Sequence, residues 1–100
     1  MIIVTGSVRT TPETKARLTE ICIGHSARSR AEPGCLGHNV HADCEDPSRL
    51  VFLEYWQDMA ALKAHFLLKE SREFVKEARK LSAPADGMLI FEAVEVKAPA

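Results

Sequence analysis

The side chains best able to do chemistry in this chain lie in its middle third. Cys35, His38, His41 and Cys44 fall at a strict spacing of three in the stretch CLGHNVHADC. Two thiols and two imidazoles form a common zinc ligand set. A second group centres on LEYWQD, where Glu54 and Trp56 stand two apart, Phe52 precedes them and His65 follows Trp56 by nine residues. A carboxylate beside Trp and Phe, with an imidazole in reach, could hold a flat aromatic molecule and accept a proton from it.

Which group is viable depends on the backbone that carries it. Leu36, Val40 and Ala42 alternate along the first stretch, and Gly37 and Asn39 interrupt any helix, so it reads as a strand running to about Asp43. Side chains on a strand alternate faces, and each residue rises about 3.3 Å. A spacing of three then places Cys35 and His41 on one face and His38 and Cys44 on the other, with the ends on the order of 30 Å apart. Zinc needs ligands about 2.0–2.3 Å away. On a helix, steps of three drift by about 60° each and also fail to converge. The four residues are therefore expected to hold no metal, and His38 reads as an ordinary polar strand position.

The remaining elements follow from local chemistry. MIIVTGSVR is rich in β-branched residues and reads as a first strand. TPET opens a helix, with Thr11 as its cap and Pro12 in its first turn. Leu18, Ile21, Cys22 and His25 form the inner face of that helix. The EPG turn, Glu32 to Gly34, ends it. EDPS is a turn leading into RLVFLEYW, a second strong strand that pairs with its predecessor as a hairpin. Asp58 caps a helix with Leu62, His65, Phe66 and Lys69 along its inner edge, and a helix restarts at about Ser71. MLIFEAVEV closes the chain as a last strand.

The order is β-α-β-β-α-β, the ferredoxin-like α+β arrangement with a four-stranded antiparallel sheet and helices on one face. Residues 1–100 read as one domain of this type. In the third strand Val51, Leu53 and Tyr55 point one way and Leu50, Phe52 and Trp56 the other, so both faces of the sheet are apolar while helices cover one. A second copy of the chain is the simplest cover, and a homodimer joined through the Val51, Leu53 and Tyr55 face is expected.

Composition narrows the partners. Net charge is −1 from 13 basic and 14 acidic residues, with no basic stripe, so nucleic acid is not expected. No apolar run reaches the roughly 20 residues of a membrane helix. The start, MIIVTGSVRT, lacks the basic residues and cleavage site of a signal peptide. An odd count of 3 cysteines points away from a disulfide framework and toward a reducing cytoplasm.

The combined motifs resemble one family closely. Glu32-Pro33-Gly34-Cys35-Leu36, Asp46-Pro47, Glu54-Tyr55-Trp56-Gln57-Asp58, Ala61-Leu62-Lys63-Ala64-His65 and the later Arg72-Glu73-Phe74-Val75 are similar to the pattern of the antibiotic biosynthesis monooxygenase domain, which includes small quinol monooxygenases. The resemblance covers nearly the whole chain. It implies a dimeric α+β barrel with a cavity between sheet and helices. It also implies oxidation of a small phenol or quinol by O₂ without metal, flavin or haem. On that reading His65 takes the phenolic proton, because an imidazole has an ordinary pKa near 6.5. Glu54 orients a hydroxyl or His65, and Trp56, Phe52 and Leu62 bind the ring. Some members place a polar amide where Phe52 stands and a phenol or basic group where Leu62 and Lys76 stand. Haem-degrading relatives use a strand-one Asn and a late-helix His; Gly6 and Ser7 in the first strand and KEARK in the last helix match neither. A non-catalytic dimeric module that binds a ligand or protein is the other function class. A polar proton acceptor lining the cavity would separate the two.

Overall fold

In a computed structural model, which describes residues 1–99, the chain forms the expected α+β ferredoxin-like arrangement. The elements are β1 (Ile2–Arg9), α1 (Lys15–Ser29), β2 (Cys35–Ala42), β3 (Arg49–Trp56), α2 (Met59–Leu67), α3 (Lys69–Leu81) and β4 (Leu89–Glu92). The strands lie in the order β2-β3-β1-β4, and each neighbouring pair is antiparallel. Among the described residues no helix is long and apolar enough to cross a membrane.

β3 sits in the middle of the sheet and sets its two faces. Leu50, Phe52, Glu54 and Trp56 are buried, while Val51, Leu53 and Tyr55 between them are partly exposed. The buried row divides the interior. Leu50 and Phe52 pack with Leu18, Cys22 and Ala78, whereas Trp56 packs with Ile2, Val4 and Leu62. Glu54 lies on the strand between these two apolar groups. The hairpin turn before β3 is tied to β1: Arg9 pairs with Asp46, whose carboxylate also accepts hydrogen bonds from Ser48. The Arg9 guanidinium and the Ser48 donors hold the Asp46 carboxyl below the usual carboxylate range.

Three boundaries differ from the sequence reading. Thr11 to Thr14 form a turn, with Thr14 N donating to Thr11 O at 3.1 Å, and the helix proper begins at Lys15. The last strand spans only Leu89–Glu92. Its partner runs out: Ile2 pairs with Glu92, and Met1 and Ala93 exchange the final bonds at 2.8 and 3.0 Å. A break at Leu68, with ψ 140, separates α2 from α3, which starts two residues before Ser71.

β2 departs from strict alternation. Cys35 pairs with Trp56 but Gly37 pairs with Tyr55, so Leu36 is an extra, bulged residue. Cys35 and His38 therefore share the helix-facing side, because Trp56 and Glu54, their partners, both point inward. The expected grouping of Cys35 with His41 is corrected by this bulge. His41 lies opposite Val51 on the outer face and is exposed, as is Cys44 beyond the strand.

The EPG turn fixes α2 against β2. Gly34 has φ 81, and a Cβ built there would come within 2.6 Å of Ala61 Cβ on α2. Gly34 O also accepts from Gln57 N at 2.8 Å. Gly34→Ala should lower stability by about 1–3 kcal/mol, from a left-handed backbone plus overlap with α2. Urea unfolding of the two proteins measures the difference; equal midpoints would mean that the turn relaxes freely.

Candidate functional site

The helix-facing side of the sheet opens into a cavity of about 940 Å³ between β1, β3, α3 and the loop before β4. Phe52, Phe74, Val75 and Met88 give it apolar walls, and Glu54, His25 and His65 give it polar ones. Gly6 on β1 faces the same space, and Lys76 and Arg79 of α3 add cationic groups.

Each polar residue arrives on a different element. Glu54 comes from the buried row of β3 and is only 5% exposed. Trp56 Nε1 donates to its Oε1 at 3.0 Å. His65 comes from α2, whose start is set by Asp58 accepting from Ala61 N at 2.9 Å. His65 Nδ1 donates to the Glu32 carboxylate at 2.9 and 3.1 Å, and Ser71 Oγ lies 3.4 Å from the same nitrogen. With Nδ1 engaged, Nε2 is the nitrogen left free for chemistry. Glu32 is placed by the turn that Gly34 allows, so the backbone at Gly34 and the tautomer of His65 are linked.

A further histidine, His38, lies behind the wall that His25 and His65 form. His38 is fully buried, its Nδ1 sharing a 2.8 Å hydrogen bond with Ser26 Oγ on α1. Its Nε2 lies 3.3 Å from Glu54 Oε1 but has no aligned hydrogen-bond partner. His25 on α1 stacks on Phe74 of α3, with centroids 4.0 Å apart and planes 3° from parallel. The three imidazoles form a near-equilateral set, with centroid separations of 5.1, 5.2 and 5.6 Å. Burial pushes the His25 pKa down to about 3, assisted by His38, His65 and Arg28.

The structure brings together Phe52, Glu54 and His65 at the cavity. Trp56 and Leu62 stand apart: both are fully buried in the second apolar group, so neither offers surface for a ring to stack on. Trp56 reaches the site through its indole N–H on Glu54, and its ring lies 4.7 Å from that of His65. His38 is the larger surprise, since an ordinary polar position was expected and a fully buried side chain is found. His25, Ser26 and Glu32 were also not singled out as site residues. No local motif joins residues from α1, β2 and the turn between them. The available signal was that three of the 4 histidines fall on inward positions, His38 on the same face of its strand as Val40 and Ala42.

Because His25 stays neutral in the fold but takes a proton near pH 6.5 when unfolded, the unfolded chain binds more protons between about pH 3 and 6.5. Stability should thus fall as pH drops through that window, by on the order of 1–2 kcal/mol from this residue at pH 5. Urea midpoints at pH 5 and 7 should converge in His25→Gln; an unchanged pH slope would assign the effect elsewhere.

Comparison with known proteins agrees with the fold. The sequence profile described as antibiotic biosynthesis monooxygenase matches residues 1–77. The uncharacterised protein sll1783 of Synechocystis is 28% identical over 96 residues, which is 96% of this chain. The chain spans 65% of the length of that curated relative. A candidate antibiotic biosynthesis monooxygenase from Deinococcus radiodurans superposes with a TM-score of 0.92 at 23% identity, covering 100% of this chain and 99% of the other. Rv0793 of Mycobacterium tuberculosis gives 0.87 at 15% identity, with 97% and 98% covered. A further structure, an antibiotic biosynthesis monooxygenase, gives 0.85 at 25% identity, with 95% and 100% covered.

Proposed function

Since the chain belongs to the antibiotic biosynthesis monooxygenase family, we propose that it oxidises a small quinol or related phenol with O₂ inside the cavity between sheet and helices. The observation that carries this reading is His65 on the cavity wall, with the Glu32 carboxylate on its Nδ1. A carboxylate on Nδ1 fixes the tautomer and leaves the Nε2 lone pair as the proton acceptor. A phenol seated in the cavity against the Phe52 and Phe74 wall would give its proton to Nε2, and the resulting phenolate is electron-rich enough to reduce O₂. Glu54, held by the Trp56 indole, would orient a second hydroxyl. The apolar walls would limit water around the intermediate.

The electrons balance in either outcome. A quinol gives two electrons and two protons to O₂, leaving a quinone and hydrogen peroxide. An activated ring methylene, as in an anthrone, becomes a carbonyl with release of one water. Oxygen uptake against a panel of quinols and anthrones, on protein dialysed against chelator and free of flavin, tests the reading. His65→Ala should lower kcat by about 10²–10⁴-fold and weaken binding less. Full turnover in that variant would remove His65 from the proton transfer.

The active form in this reading is a homodimer. Val51, Leu53 and Tyr55 form an apolar outer row, and β4 is exposed on both faces, with Leu89 at 58% and Ile90 at 44%. Such a surface favours a second copy of the chain. Sedimentation at micromolar concentration should give a dimer, and Leu53→Lys should shift it toward monomer by placing an unpaired charge in the contact. A monomeric parent protein would contradict this assembly.

A further inference from the structure

Three histidines in mutual contact are an unusual use of a small interior. His25, His38 and His65 each offer a ring nitrogen, and these atoms lie within 4.8 Å of one another. All three side chains are buried. They come from α1, β2 and α2, so the fold and not one local sequence gathers them. Among the described residues this is the one such cluster of histidine, cysteine and carboxylate ligands.

The surroundings are those of a ligand set. His65 gives Nδ1 to the Glu32 carboxylate, and His38 Nδ1 shares a hydrogen bond with Ser26 Oγ. Each leaves Nε2 free, and such outer partners are what aim metal-binding imidazoles and fix their tautomers. His38 Nε2 is fully buried and without a hydrogen bond; Ser7 Oγ is the other described buried side-chain atom in that state. A buried ring nitrogen of this kind costs free energy unless something binds it. The 3.3 Å between His38 Nε2 and Glu54 Oε1 is close to the roughly 3.4 Å edge of a tetrahedron with bonds of about 2.05 Å. The imidazoles would need to close by at most about 1.4 Å from their widest separation to reach that edge.

We propose that His25, His38 and His65 bind one divalent first-row transition-metal ion at the inner wall of the cavity, with Glu54 beside it. Three neutral nitrogen donors select zinc, cobalt, nickel, copper or iron over magnesium and calcium, which take oxygen ligands. Three protein ligands and an open side toward the cavity match the pattern of reactive sites, not of closed structural ones. The proposal does not rest on phenol oxidation. It makes a competing demand on His65, because a bound ion takes the same Nε2 lone pair that proton transfer would use. The stretch from Cys35 to Cys44 contributes His38 alone. His41 and Cys44 are exposed outside the cluster, and burial raises the pKa of the Cys35 thiol.

The test is equilibrium binding of Co²⁺ and Zn²⁺ to the full chain, purified without a histidine tag, dialysed against chelator and free of any aromatic compound. One equivalent of Co²⁺ should bind per chain, with visible bands of a low-coordinate nitrogen site that added Zn²⁺ displaces. His25→Gln and His38→Gln should each abolish those bands, and Glu32→Gln should weaken binding about 10–100-fold by releasing His65. Circular dichroism confirms that each variant is folded, and His41→Gln serves as a control that should bind as the parent does. A spectrum that stays that of the hydrated ion would overturn the proposal. So would binding that survives in both cluster variants, or is lost with His41. Oxygen uptake by the chelator-dialysed protein is read separately, so failure of either experiment leaves the other informative.

Discussion

Glu54 is the constraint around which the interior is arranged. A carboxylate that is 5% exposed, in the middle strand, with Phe52 and Trp56 as its inward neighbours, cannot be left without donors. The Trp56 indole supplies one hydrogen bond and His38 stands beside it. That requirement explains why the core is two apolar groups and not one. The row on β3 carries apolar residues at Leu50 and Phe52, a charge at Glu54, and an apolar residue again at Trp56. The polar side chains of α1, β2 and α2 collect where the charge is. The cavity is the space left where such groups face one another without filling the gap.

Much of the architecture could be read from residue pattern. The β-α-β-β-α-β order, the division of β3 into two rows, the Asp58 cap and the cavity position of Phe52, Glu54 and His65 all follow from periods of two and from short-range capping chemistry. What could not be read depends on contacts between elements. The end of β4 is set by where β1 begins, since a strand stops when its partner does. The buried state of Trp56 depends on Leu62, Ile2 and Val4 closing over it from two other elements, α2 and β1. The shared inward side of Cys35 and His38 depends on a single bulged residue, which no alternation rule can anticipate.

The comparisons divide along the same line. A TM-score of 0.92 at 23% identity shows how few residues the backbone arrangement needs. The residues that would carry chemistry are a different set, drawn from buried polar positions that pattern alone leaves free to vary. Shared architecture therefore speaks for the fold, while the histidines and carboxylates of this chain decide what its cavity can hold.

The bulge at Leu36 bears on how this hairpin can vary in length. It removes one residue from the count, so Cys35 and His38 are three apart in sequence yet occupy successive inward places on the strand. A chain without Leu36 would still set Gly37 against Tyr55 and His38 against Glu54, with the inward pair now two apart. Spacings of two and three are thus interchangeable here. The counterpart of His38 in any relative is the residue facing its Glu54 across the ladder, whatever its distance from the glycine turn. An aligned histidine at the same sequence spacing, on a strand that lacks the extra residue, would look outward instead.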